Sequence, residues 1–185
     1  MMDDVDERTK AFVAHLLALA QPARENRAAL AALRSGLGVP PGAAPRMYKY
    51  VAPHLGDRAH PSDCWFYTAG ALFAWHPMHD AGQSLGAALR ALVDRPEAGD
   101  SIEARFTALL SSHPDDLPDH LRQVVGLLRS KDVGLDWFRL LNDLIHWDLP
   151  DRAVQSRWAR DFYRQQRAAA AQAAAQEEDR KEPIS

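Results

Sequence analysis

The chain has 185 residues and a net charge of −3, and 46% of its residues are hydrophobic, which is enough for a buried core without metal or disulfide support. Its one cysteine, Cys64, excludes an internal disulfide framework. The acidic first eight residues do not resemble a secretory signal, and no apolar run approaches the roughly 18 residues of a membrane span. The sequence therefore predicts a cytoplasmic protein with no membrane partner.

Helical patterns fill the first half of the chain. Strand-like alternation is nearly absent and Ala and Leu dominate over β-branched residues, so we predict an all-α fold with about nine helices in two packed helical bundles. The predicted helices cover, in order, residues 6–20, 22–36, 47–51, 62–76 and 84–93. Ser62 or Asp63 can cap the fourth helix, and Pro77 ends it.

The second half continues the same pattern. Its predicted helices cover residues 101–112, 114–129 and 135–148, and a last helix begins at Pro150. A Pro/Gly-containing segment over residues 95–99 is the best candidate boundary between domains. We therefore predict an N-terminal bundle over 1–94, a C-terminal bundle over 95–166, and a frayed or disordered tail over 167–185.

The last predicted helix carries arginines at helical spacing. Val154, Trp158 and Phe162 share one face, and a stripe roughly opposite contains Arg157, Arg160, Arg164 and Arg167. Arginines at this spacing repel one another unless an anion lies alongside, and a phosphate backbone would relieve that repulsion. An ordinary solvated face is the commoner explanation of such charge, so both interpretations stay open.

Two further arginine pairs repeat this arrangement with a seven-residue spacing. Arg27 and Arg34 lie beside one leucine stripe, and Arg122 and Arg129 lie beside another. Arginines at the edge of an apolar stripe can lay their stems along the core and present the guanidinium outward. Either pair could equally bridge the two halves of the protein through Asp or Glu partners.

One histidine cluster suggests a different chemistry. Together with an upstream histidine and a downstream aspartate, His76, His79 and Asp80 are faintly similar to the metal ligands of all-helical HD-type phosphohydrolases. The upstream residue would be His54 or His60, and the downstream one Asp143 or Asp148. The pair His79-Asp80, however, falls in a predicted loop rather than on a rigid helix. Cys64 is predicted to be a buried structural thiol. The sequence contains no Gly-rich phosphate loop, CxxC pair or HExxH motif. We predict no catalytic residue, no metal site and no cofactor.

Seven short segments, in this order, resemble one known family. They are Arg27-Ala-Ala-Leu-Ala-Ala-Leu-Arg34 ending at Gly36, Trp65-Phe-Tyr with Ala-Leu-Phe-Ala ahead of His76-Pro77, Ser84-Leu-Gly86, Arg105-Phe-x-x-Leu-Leu, Asp116-Leu-Pro-x-His-Leu-Arg122, Leu135-Asp-Trp137, and Val154-Gln-x-Arg-Trp-Ala-Arg-Asp-Phe162. Each segment alone is nonspecific, but the ordered set over residues 8–165 resembles the CasB family, the small subunit of the type I-E CRISPR surveillance complex (Cascade).

The resemblance implies a non-catalytic protein of antiviral defence, built from two packed helical bundles. CasB-like proteins lie as two head-to-tail copies along the complex, against the backbone subunits that hold the guide RNA. The resemblance therefore implies as partners the backbone and large subunits, a second copy of this chain, the guide RNA and the target DNA. Contact with nucleic acid would be independent of sequence, because guide pairing reads the sequence.

The resemblance also ranks the candidate nucleic-acid-binding residues. Arg34, which closes the second helix, is the first, and Arg105 and Arg122 follow because they lie inside matching segments. Four further candidates depend mainly on the helical-face argument: Arg27, Arg129, Arg152 and Arg157. One departure from the family pattern is Ser35, where many relatives have a second basic residue, and it weakens the expected N-terminal patch.

Two alternatives remain from other classes of function. A purely helical adaptor would use the same apolar faces for protein contacts and would show no salt-dependent binding to DNA. A metal-dependent phosphohydrolase would depend on His79 and Asp80 and would contain stoichiometric metal.

Overall fold

Nine α-helices make up the computed structural model over the residues it describes, which are 2–23, 26–93 and 101–163. They are α1 (Met2–Leu19), α2 (Arg27–Arg34), α3 (Tyr48–Val51), α4 (Asp63–Trp75), α5 (Leu85–Val93), α6 (Ser101–Ser111), α7 (Leu117–Ser130), α8 (Trp137–Ile145) and α9, whose described part is 153–163. Two 3-10 turns, Pro45–Met47 and Ala52–His54, flank α3. In these ranges the only β-type pairing is an isolated bridge between His79 and Leu135, so the all-α prediction is confirmed.

Helix α4 lies at the centre of the molecule. Its residues from Trp65 to Ala74 are buried except Tyr67, because the helix is apolar on every side. It packs against α1, α2, α7 and α8. The predicted cap differs in detail, since Ser62 occupies the N-cap position without a side-chain bond to the helix and the carboxylate of Asp63 instead accepts the backbone N–H of His60 at 2.9 Å.

Helices α2 and α7 are amphipathic, as predicted. Leu30 and Leu33 of α2 are buried, as are the predicted stripe residues of α7, namely Leu117, Leu121, Val124, Val125 and Leu128. Helix α2 begins later than predicted, because Asn26 caps it by accepting the N–H of Ala29 at 3.0 Å. The buried sides leave the arginines of both helices facing outward.

Helix α5 approaches α9 closely at a glycine. A Cβ atom on Gly86 would collide with the backbone carbonyl of Trp158, so a residue without a side chain is required at this crossing. Gly86 belongs to one of the segments that carry the family resemblance. Its place in the sequence is therefore explained by helix packing rather than by chemistry.

The buried residues form one connected hydrophobic cluster that includes residues from Phe12 to Phe162. Helix α8 packs on both α1 and α4, so the two halves of the chain share this core. The proposed division at 94/95 stays a prediction, and residues 94–100 lie outside the described residues, as does the predicted tail over 167–185. None of the described helices is both long enough and apolar enough to cross a lipid bilayer.

Candidate nucleic-acid interface

The first group of candidate residues lies on α2. Arg27 and Arg34 are exposed and seven residues apart, which places them about 10 Å apart along one side of the helix. The Nε of Arg34 donates to the carbonyl of Leu30 at 3.3 Å, which orients the guanidinium at the C-terminal end of the helix. A cation at this end is favoured by the helix dipole.

Two basic residues that the sequence prediction missed lie next to this group. Arg46 and Lys49 are exposed on the turn Pro45–Met47 and on α3, and neither forms an ion pair with a carboxylate in the described part of the chain. The turn packs against α2, and Met47 lies against Gly36 just beyond Arg34. The sequence signal that could have identified them is a pair of basic residues, one just before and one within the short helix predicted over residues 47–51.

The second group lies on α6 and α7. Arg105 is exposed and has no carboxylate partner among the described residues. Arg122 lies 3.4 Å from Asp119 of the same helix, with both side chains largely exposed. Arg129 places its guanidinium 5.4 Å from the ring centre of Trp75, a cation–π contact that holds the side chain against the end of α4.

Arg152 has a structural contact. Its backbone has a φ of 50°, in the left-handed region that residues other than glycine rarely adopt. Its guanidinium donates to the carbonyl of Leu110 at 2.6 Å, at the C-terminal end of α6. Arg152 therefore ties the turn before α9 to α6, although its side chain remains exposed.

Arg157 lies in the seam between α8 and α9, where Arg157 and Trp158 of α9 contact Asp143 of α8. The helical projection placed it away from the core, but its guanidinium contacts Asp143, whose side chain is only 2% exposed. The Nε1 of Trp158 donates to the other oxygen of this carboxylate at 2.5 Å. Burial raises the pKa of Asp143, although Trp158 and Arg157 both favour its ionised form. Arg160 remains exposed on the same helix, and Arg164 and Arg167 lie outside the described residues.

The histidines of the metal-site alternative serve the fold. His76 is buried, and its Nε2–H donates to the carbonyl of Val133 at 2.7 Å. His79 accepts the backbone N–H of Trp137 at 3.4 Å through Nδ1. Burial lowers the pKa of His76. Among the described residues, no three His, Cys, Asp or Glu side chains come together as a metal site would require.

Comparison with known proteins then identifies the family. The model of the family "CRISPR-associated protein Cse2" matches residues 29–163, which is most of the chain. The chain belongs to the Cse2/CasB family. A curated Cse2 protein from Thermus thermophilus is 42% identical over 139 residues, which are 74% of this chain and 79% of that protein.

Solved structures of Cse2/CasB proteins have the same fold. The crystal structure of a Cse2-family protein from Thermus thermophilus is 39% identical, with a TM-score of 0.73, and the match covers 84% of this chain and 97% of that one. A chain of a CRISPR RNA-guided surveillance complex is 30% identical, with a TM-score of 0.74, and the match covers 91% and 99%. The segment matched to the Cse2 family model includes every candidate arginine except Arg27.

Proposed function

We propose that this protein is a non-catalytic small subunit of a CRISPR RNA-guided surveillance complex in antiviral defence. In this role it binds the backbones of guide RNA and target DNA, including the displaced strand, without reading their sequence. The match to a chain of such a complex, which covers 99% of that chain, supports the proposal that this protein is part of a similar assembly. The backbone and large subunits, and a second copy of this chain, are the proposed protein partners.

The observation that carries the nucleic-acid part of this proposal is a set of exposed guanidinium groups without acidic neighbours. Arg34, Arg105 and Arg129 are exposed, and no carboxylate among the described residues lies within ion-pair distance of them. A guanidinium that is not neutralised by the protein can bind a phosphate, and counterions are released from the nucleic acid when it does so. These three residues are therefore the strongest candidates, ahead of Arg122 and Arg157, which contact aspartates.

The net charge of −3 indicates how such a surface would act. The isolated chain has no overall attraction for a polyanion, so its few phosphate contacts give weak binding that salt suppresses. Inside an assembly, the other subunits hold the nucleic acid alongside and supply a high effective concentration. We therefore expect the arginines to matter most in the complete complex.

Charge reversal in the reconstituted complex tests the proposal. Arg34→Glu combined with Arg105→Glu should leave assembly intact and weaken target DNA binding. The slope of log affinity against log salt should become shallower by about 4, because each of the two arginines in each of the two copies of the chain neutralises one phosphate and contributes about one unit to the slope. Titration of labelled target DNA at several salt concentrations gives both quantities.

A matched control separates local contacts from general charge. Lys10→Glu combined with Arg58→Glu makes the same change in net charge at exposed positions outside the candidate surface. It should leave the salt slope near that of the wild type. Equal affinities and slopes for the Arg34/Arg105 variant and the wild type would instead support the purely helical adaptor.

A further inference from the structure

A cleft of about 760 Å³ lies on the side of the molecule where four separate segments meet. Its walls are the loop 36–42 after α2, the beginning of α4, the beginning of α7, and the end of α8 with the turn that follows. Its volume is in the range of about 300–1,000 Å³ that is typical of sites for small ligands or a few side chains. No candidate arginine except Arg122 lines it.

The interior of this cleft is largely apolar. Val39, Pro41 and Tyr67 line it, as do Ile145 and Trp147. Val39 is 40% exposed, although a residue of this type is normally buried. Apolar walls that converge on one cavity are typical of a binding site rather than of scattered surface residues.

The ionisable rim of the cleft is predominantly acidic. Asp115, Asp119 and Asp148 line it. The guanidinium of Arg122 lies 3.4 Å from Asp119, whose negative charge offsets the positive charge of the arginine. The imidazole Nδ1 of His60 forms a hydrogen bond with the hydroxyl of Ser62 at 2.8 Å. Three carboxylates against one guanidinium repel phosphate groups and attract cationic side chains.

We propose that this cleft binds a segment of a partner protein that has apolar side chains flanked by lysine or arginine. The inference rests on the proposed function, because the partner would be another subunit of the same surveillance complex. The apolar walls would take the apolar side chains, and the acidic rim would pair with the flanking cation. The cleft is thus separate from Arg34, Arg105 and Arg129, the strongest candidates for nucleic-acid binding, none of which lines it.

The single cysteine provides a reporter inside the cleft. Cys64 lines it, is half-buried, and donates its S–H to the carbonyl of Pro61 at 3.0 Å. Burial raises the pKa of the Cys64 thiol, so its alkylation must be compared at one fixed alkaline pH. The rate of modification by N-ethylmaleimide then reports whether the cleft is occupied.

The experiment compares that rate in the free chain and in the assembled complex, after nuclease treatment of both. We expect at least a tenfold slower reaction in the complex. Asp115→Lys combined with Asp119→Lys should restore the rate in the complex toward that of the free chain, because both side chains are exposed and their reversal changes the rim from acidic to basic. Asp57→Lys with Asp80→Lys, an equal charge change at exposed positions outside the cleft, should keep the protection.

Three results would overturn the inference while leaving the proposed function standing. One is an equal alkylation rate in the free chain and in the complex. Another is protection of the free chain by a single-stranded oligonucleotide, which would assign the cleft to nucleic acid. The third is protection that rises with the concentration of the free chain, which would assign it to a second copy. Failure of the chain to enter the complex would contradict both proposals.

Discussion

The seam between α8 and α9 and the outer faces of α2, α6 and α7 use arginine in opposite ways. In the seam, Arg157 contacts the buried carboxylate of Asp143, 14 residues earlier in the chain. On the outer faces, Arg34 and Arg105 are exposed without an acidic partner among the described residues. All three arginines lie on helices that have one apolar face. The comparison shows that the tertiary neighbour, and not the spacing, decides whether an arginine stabilises the fold or is available to a ligand.

The largest effect that would test this contrast is the loss of the buried carboxylate. Asp143→Ala leaves the buried Nε1–H of Trp158 without an acceptor and Arg157 without its counter-charge, so we expect the free energy of unfolding to fall by about 3 kcal/mol. Asp161→Ala is the matched control, because Asp161 pairs with Arg139 at 3.0 Å but is 30% exposed, and its loss should cost less than about 1 kcal/mol. Urea unfolding measures both. Equal losses would show that burial does not distinguish the two pairs.

A smaller effect separates the two kinds of arginine directly. Arg157→Ala leaves the carboxylate of Asp143 buried with only Trp158 as a donor, and we expect a loss of about 1–2 kcal/mol. Arg105→Ala should change the stability by less than about 0.5 kcal/mol, because its side chain is exposed. In the assembled complex the order should reverse, with Arg105→Ala lowering DNA affinity more than Arg157→Ala. The contrast fails if Arg105→Ala is the more destabilising variant.

The smallest expected effect is on pH dependence, which buried polar groups have and outer arginines lack. Burial holds the pKa of His76 below its ordinary value of 6.5, so the unfolded chain binds more protons than the folded one just below that pH. Stability is therefore fully present above about pH 6.5 and declines as the pH falls toward the lower pKa of the folded state. Urea unfolding across this range should give a shallower decline for His76→Asn. Arg105→Ala should keep the wild-type slope, because arginine does not titrate there.

Several features of the candidate surface could be predicted from the sequence because they depend on local spacing. The outward position of Arg27 and Arg34 follows from Leu30 and Leu33, which lie between them and bury the other side of α2. Arg46 and Lys49 were missed because the turn Pro45–Met47 and the four-residue helix α3 are too short to have an apolar stripe that would mark their exposed side. The contact of Arg157 with Asp143 was not predicted, because a helical projection contains no information about α8.

By itself, the sequence determined the all-α class, the position of most helices and the family. These depend on periodicity and on ordered segments, which act over a few residues or along the chain. The tertiary structure decided that Arg152 reaches Leu110, 42 residues away, that Asp143 receives Arg157, and that four segments enclose the cleft. The physical reason is that helix packing brings together groups far apart in sequence, and the partner a charged side chain meets there fixes its role.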